Sequence, residues 1–340
     1  VRVALDTQLA VGTATGIGVY QRDLARALIA GGVDVCPLQW PALDPWRFDR
    51  RVIWDQALLP LLALRSGADV LHAASGTLPV LPSIPTVVTV HDMAWLRVQA
   101  HTRAYARNYF GGLMKRLYGR AAAVITDSEF ARAEFLELAG IRGPAHVVYP
   151  GVDERFARIV RAPRERPFAL VVGTVERRKN LLRAVEALAA VPELELVAVG
   201  PPTPYLDAVR ARVAELGVGE RVTLRGYVER DELDALYAHA TVALVPSHYE
   251  GFGYAVAEAL CAGLPVIAAR SSSLVEVAGG NAVLIDPDDA GGWVDALRAL
   301  LADRTGAQTN ADAARGRAVA RFAWSTAAAA CAAIYASVVT

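Results

Sequence analysis

Short β-rich runs alternate with helical patterns along the whole chain, and no other feature restricts the fold as much. The runs fall at 1–6, 34–39, 69–74, 86–91, 122–127 and 145–149, then at 168–173, 194–199, 221–225, 242–246, 265–269 and 282–286. Helix-like segments lie between them, among them VYQRDLARALIA at 19–30, NLLRAVEALAA at 180–190 and GWVDALRALLA at 292–302. Such alternation implies right-handed βαβ crossovers and parallel sheets. Six strands per half imply an α/β protein of two doubly wound domains, and 340 residues exceed the size at which one core usually splits. The charged, Pro-containing stretch VDERFARIVRAPRERP at 152–167 reads as the connection, giving domains at 1–155 and 165–321 and a terminal helix at 322–340.

Composition removes several classes. An apolar fraction of 54% excludes disorder, and a formal net charge of zero gives no bulk attraction for nucleic acid. Cys36, Cys261 and Cys331 each sit in an apolar segment, so reduced, buried thiols are expected, and no Cys/His cluster suggests zinc. The chain opens on a strand, VRVALD, from which a cytoplasmic protein is expected. The uncharged run 322–340 has membrane-span length but is Ala-rich, so a packed helix is expected over an anchor.

Ligands of doubly wound sheets bind beyond the carboxyl ends of the strands, so two such domains facing each other put the site in the cleft between them. The residues just after each strand therefore carry the functional argument. After the first run, Gly16 and Gly18 stand ahead of a helix, an anion-binding arrangement or a flexible connection. Gln21 occupies the third glycine position of a dinucleotide fingerprint, which argues against one. His91 and Asp92 follow PTVVTV: His91 points into the cleft, able to donate a hydrogen bond or move a proton, or stands idle beside a capping Asp92. After FALVVG, Arg177, Arg178 and Lys179 crowd a helix start, with Asn180 a good N-cap. Like charge there is unfavourable unless a polyanion binds.

After VALVPS comes HYEGFGYAVAEAL at 248–260. Glu250 lies over the strand end, and the glycines let backbone N–H groups approach a phosphate. Glu258 is the only charge between Gly251 and Ala269; it meets either a ligand or solvent. Eight helical steps would set the two glutamates ~12 Å apart, too far for an acid/base pair on one bond. The Asp286, Asp288 and Asp289 run is read as a helix cap in preference to a metal site.

Glu250 and Glu258, spaced E-x7-E around Gly251-Phe252-Gly253, resemble the signature of the family 4 retaining glycosyltransferases. The segments GIGVY (16–20), VHD (90–92), ITDSEFAR (125–132), VYPGVD (148–153), VGTVERRKN (172–180), GY (226–227) and SSLVEVAG (272–279) agree in order and span nearly the whole chain. The resemblance implies the GT-B fold, two Rossmann-like domains with a C-terminal helix crossing back to the first domain, here 322–340. It implies that Arg178 and Lys179 hold the donor diphosphate, and that Gly251, Phe252, Gly253 and Tyr254 approach the phosphate and sugar through their backbone. Glu250 would meet the sugar hydroxyls, Glu258 the ribose, and His91 the donor sugar or the acceptor. Two departures stand out: Thr174 replaces an arginine, and Tyr254-Ala255 replace Leu-Pro.

The patterns VHDMxW and GTxExRKN are similar to those of mannosyl- and rhamnosyltransferases of bacterial surface-polysaccharide assembly, lipopolysaccharide included, which favours GDP-mannose as donor. No cofactor or metal is implied beyond the nucleotide sugar. The acceptor implied is a glycan or a polyprenyl-diphosphate-linked saccharide. Met93 to Thr126 holds no acid but six cations and interleaved aromatics, so it either touches a membrane surface or packs as a charged helix with aromatics in the core. A sugar-nucleotide epimerase of the same fold and a non-catalytic carbohydrate-binding scaffold are the competing readings.

Overall fold

The computed structural model describes residues 1–12, 16–44, 47–97, 107–141 and 143–339. The first sheet contains β1 (Arg2–Asp6), β2 (Asp34–Leu38), β3 (Val70–Ala73), β4 (Thr86–Val90), β5 (Ala123–Thr126) and β6 (Ala145–Val147). The second contains β7 (Phe168–Val172), β8 (Glu195–Val199), β9 (Val222–Arg225), β10 (Val242–Val245), β11 (Val266–Ala269) and β12 (Val283–Ile285). Each begins and ends within two residues of its expected run. The helices used below are α1 (Ile17–Ala30), α2 (Leu181–Ala189), α3 (Arg230–His239), α4 (Tyr254–Ala262), α5 (Ala290–Ala302), α6 (Arg304–Arg321) and α7 (Trp324–Val339).

Every strand pair is parallel. The first sheet runs β2-β1-β3-β4-β5-β6 and the second β12-β11-β10-β7-β8-β9. The second is the Rossmann order, in which the order of strands across the sheet reverses between β7 and β10 and opens a crevice at their carboxyl ends. In the first the reversal falls between β1 and β3. Central strands such as β4, β5, β10 and β11 are buried at every position, because helices cover both faces of a parallel sheet.

The chain divides into two compact units, Val1–Gly151 with Phe322–Thr340, and Val152–Arg321. The stretch 152–167, read as the connection, packs on the second unit. Arg161 donates to the carbonyls of Tyr237, Ala238 and Ala240, and Ala162 N donates to Ala238 O at 2.9 Å.

The expected terminal helix is α7, and it belongs to the first unit. Ala327, Ala328, Cys331, Ile334 and Tyr335 recur at helical spacing and bury against Tyr20, Leu24 and Leu28 of α1. Arg304–Val339 is long and apolar enough to cross a membrane by length and composition, yet the apolar stripe of α7 is packed on the first core. The thiols of Cys261 and Cys331 are buried as expected; Cys36 is half-buried, and all three are free.

Gly200, which follows β8, shows why a particular residue is needed at a strand end. Its φ is +147°, and a Cβ there would stand 2.1 Å from the Gly173 carbonyl oxygen. Only glycine lets these two strand ends pass.

Candidate active site

The site of the second unit grows from three loops at the carboxyl ends of neighbouring strands β7, β10 and β11. After β7, Arg177–Lys179 form a single 3-10 turn ahead of α2. Asn180 does not cap α2 as expected. Its backbone is left-handed (φ 54°), which carries the side chain to the Pro287 carbonyl instead. After β10, His248 N donates to Arg178 O at 2.8 Å and stitches the two loops together. After β11, Ser271 Oγ donates to Ser247 O at 2.6 Å, and Ser273 Oγ donates to Glu250 O and Phe252 O, both at 2.8 Å.

These contacts fix Glu250 at the β7/β10 reversal with only 5% of its surface exposed. Its Oε1 accepts from Lys179 Nζ at 2.5 Å and Ser247 Oγ at 2.8 Å; its Oε2 accepts from Arg178 Nη1 at 3.1 Å. Burial alone would favour the neutral acid, but Lys179 and Arg178 outweigh it and hold the carboxyl below its usual range. Arg178 also pairs with Glu176 at 2.7 Å, while Arg177 lies over the Tyr205 ring at 5.7 Å. Arg178 and Lys179 are thus oriented by carboxylates, the arrangement that presents a cation rigidly to a ligand anion.

Gly251, Phe252 and Gly253 follow, all buried, and α4 begins at Tyr254. Gly253 has φ +97°, and a Cβ there would clash with Leu274 Cδ2 at 2.5 Å, so glycine is required to bring the start of α4 beside Glu250. Glu258, further along α4, accepts from Tyr237 OH of α3 at 2.9 Å. Burial pushes its carboxyl up to about 7, against the pull of Tyr237, Arg155 and Lys179. The lone charge on α4 is a partly buried carboxyl poised to titrate near neutrality.

The remaining expected residues lie in the first unit. Gly16 precedes α1 with a positive φ of +50°, and among the described residues no atom lies within 4 Å of where a Cβ would stand, whereas Gly18 is buried within the first turn. His91 follows β4. Both of its ring nitrogens are engaged inside the unit, Nδ1 with Asp127 Oδ2 at 2.7 Å and Nε2 with Ala74 O at 3.2 Å. Asp92 accepts from Ala94 N at 3.0 Å, a local cap beside an engaged, not idle, histidine. Among the aspartates after β12, Asp289 caps α5 by accepting from Gly292 N at 2.9 Å.

Reading the sequence missed two groups. One is Asp127, which ends β5 and holds His91. The other occupies the β1/β3 reversal of the first sheet: Asp6 accepts from Ser75 Oγ at 2.7 Å and Trp54 Nε1 at 3.0 Å. Beside it Arg51 pairs with Asp55 at 2.9 Å and donates to Thr77 Oγ1 at 2.9 Å, and Tyr109 OH donates to Asp55 Oδ2 at 3.0 Å. The available signals were an acid closing a strand for Asp6 and Asp127, and an i,i+4 pair for Arg51 and Asp55.

A Rossmann-order sheet with a Lys/Arg/Glu cluster at its reversal defines a doubly wound α/β protein whose candidate site is the crevice at that point. Residues 152–317 match the family described as Glycosyl transferases group 1, and residues 14–156 match Glycosyltransferase Family 4. The D-inositol 3-phosphate glycosyltransferase of Xylanimonas cellulosilytica is 34% identical over 74% of this chain and 66% of its own. The MMP alpha-(1->4)-mannosyltransferase of Mycolicibacterium hassiacum is 30% identical over 81% of this chain and 72% of its own. The chain thus spans just under two thirds of the first relative's length. A solved sucrose-phosphate synthase from Thermosynechococcus elongatus superimposes with TM-score 0.81 at 24% identity, covering 99% of this chain and 98% of that one. The chain belongs to the family 4 glycosyltransferases and has the GT-B fold.

Proposed function

We propose that this protein is a retaining hexosyltransferase that moves mannose from GDP-mannose to a glycan or a polyprenyl-diphosphate-linked saccharide, without a metal. The observation that carries this reading is the convergence of Lys179 and Arg178 on Glu250 at the β7/β10 reversal. Departure of a nucleoside diphosphate builds negative charge on its oxygens. Two oriented cations beside the amino end of α4 stabilise that charge, and one such donor is typically worth ~3 kcal/mol of barrier. Glu250, kept ionised by the same cations, accepts hydrogen bonds from the sugar hydroxyls. Glu258 accepts from the ribose once it is deprotonated. Gly251, Phe252, Gly253 and Tyr254 meet phosphate and sugar along the backbone, Gly16 and Gly18 belong to the donor-binding set, and His91 acts at the reacting sugar. The preference for mannose rests on the VHDMxW and GTxExRKN patterns and on the mannosyltransferase relative.

A thermal-shift panel of GDP-, UDP-, ADP- and TDP-sugars tests the donor. GDP-mannose is expected to stabilise the protein most, and stabilisation by none would overturn the donor site. Release of free GDP only when an acceptor is added separates transfer from epimerisation, and loss of transfer in Glu250→Ala separates an enzyme from a scaffold.

The acceptor reading extends to the membrane surface on the cytoplasmic side. Within 93–126, Lys115, Arg116 and Arg120 are exposed, although 98–106 lie outside the described residues. Flotation with liposomes containing anionic lipid should recover the protein at low salt and release it as salt rises. Equal recovery with neutral lipid would remove this part of the reading.

A further inference from the structure

His91, Asp127 and Ala74 close three neighbouring strand ends, β4, β5 and β3. Nε2 of His91 faces the Ala74 carbonyl oxygen at 3.2 Å. That oxygen can only accept, so Nε2 carries a hydrogen. Nδ1 faces Asp127 Oδ2 at 2.7 Å, and one proton must lie between them. Imidazolium with carboxylate, and imidazole with carboxylic acid, are the two ways of placing it, and both contain the same number of protons.

The surroundings favour keeping that proton. Asp127 is 4% exposed, and its second oxygen, Oδ1, is buried without a hydrogen-bond partner among the described residues. Burial pushes the Asp127 carboxyl up; for His91 burial pulls the other way, but Asp127 outweighs it and the imidazole is raised. Of the other groups facing the pair, His72 on β3 is pushed down to about 3 and is neutral, bonded to Thr89 Oγ1 and Tyr335 OH at 2.7 Å each. On α7 the Cys331 thiol is pushed up to about 12 by burial. Tyr20 on α1 sets the edge-to-face packing, with ring centroids 4.7 Å apart at 82°, and holds the imidazole plane. Asp92 is a further charge beside the pair and acts on His91 in the same direction as Asp127.

We propose that Asp127 is the positioning residue for His91, holding the imidazole by Nδ1 so that Nε2–H is the group offered to a substrate oxygen. The bond to Asp127 is short and charge-assisted, while the longer one to Ala74 is the one exchanged for substrate. This rests on the reading that His91 acts at the reacting sugar. The sequence alone allowed His91 either to donate or to move a proton; the geometry assigns donation from Nε2, with Nδ1 unavailable to substrate.

Nitrogen-15 NMR of the histidine rings, with His91→Gln to assign the signals, tests the pair without any substrate. Nε2 of His91 should be protonated at neutral pH, and the pair should release its proton at a higher pH than an ordinary imidazole does. In Asp127→Asn the release should fall by at least about one pH unit. An unprotonated Nε2 in the wild type, or an unchanged release in the variant, overturns the proposal. If Asp127→Asn fails to fold, the wild-type Nε2 signal still decides. In the transfer assay the alkaline limb of kcat/KM should move down in Asp127→Asn by the same interval; a fixed limb overturns the positioning role. If no donor or acceptor supports transfer, the transferase reading fails while the NMR result stands.

Discussion

Replacing Glu258 by glutamine should stabilise the second unit, by an amount that grows as pH rises from about 4.5 to about 7 and is constant above that. In the folded chain burial raises this carboxyl from 4.5 to about 7. The gap corresponds to ~3 kcal/mol between the two protonation states. The side chain is only partly buried, so water screens it, and ~1–2 kcal/mol is the amount to expect. The sign follows from linkage. The folded state binds this proton more tightly than the unfolded state, so the native advantage is complete below the unfolded value, near 4.5, and is lost as pH rises through about 7. Glutamine mimics the protonated acid in shape and still accepts from Tyr237 OH. Urea unfolding followed by circular dichroism at pH 4 and pH 8.5 reads the difference. Glu258→Gln should match the wild type at pH 4 and exceed it by ~1–2 kcal/mol at pH 8.5. The same substitution should weaken nucleotide-sugar binding, which would make Glu258 a residue kept for its ligand at a cost in stability. Equal stability at pH 8.5, or the same offset at both pH values, would refute the argument.

Lys179→Ala should lower donor affinity and raise the Glu250 carboxyl, because it removes the shortest of that group's ion pairs; isothermal titration with nucleoside diphosphate across pH 5–8 would follow both effects. Arg51→Ala should cost ~3–5 kcal/mol by leaving Asp55 without its buried partner, a loss measurable by calorimetry on the first unit's transition. Gly200→Ala should destabilise the second unit by several kcal/mol, on the order of other strained core substitutions, because the Gly173 carbonyl blocks the added carbon. Asp289→Ala should cost ~1 kcal/mol, the usual loss for an N-cap, with donor binding unchanged.

The central strands were legible because each is a short apolar run bounded by helical periodicity, and burial on both faces of a parallel sheet leaves that trace in composition; the edge strands, only partly buried, followed from the alternation with helices. The terminal helix was legible as an uncharged, Ala-rich run; the recurrence of its buried residues on one packed face is seen in the structure. Within 152–167, charge and proline content report exposure, whereas the packing of this stretch on the second unit, through Arg161 and three carbonyls, is seen only in the structure. Asn180 misled because cap propensity assumes an extended backbone, and this residue is left-handed.

Local chemistry by itself determined which residues stand after which strands: His91 after β4, Arg178 and Lys179 after β7, Glu250 after β10, Glu258 on the helix beyond. Residue type and strand order settle that much, since the carboxyl ends of a parallel sheet all face one way. Tertiary structure decided the pairings. Lys179 and Glu250 are distant in sequence and meet only because β7 and β10 are neighbours across the reversal of strand order. His91 meets Asp127 only because β4 lies beside β5. Charge states followed from those meetings, because burial and partner distance, neither of them a local property of the chain, set whether a carboxyl is held ionised as at Glu250 or pushed toward neutrality as at Glu258.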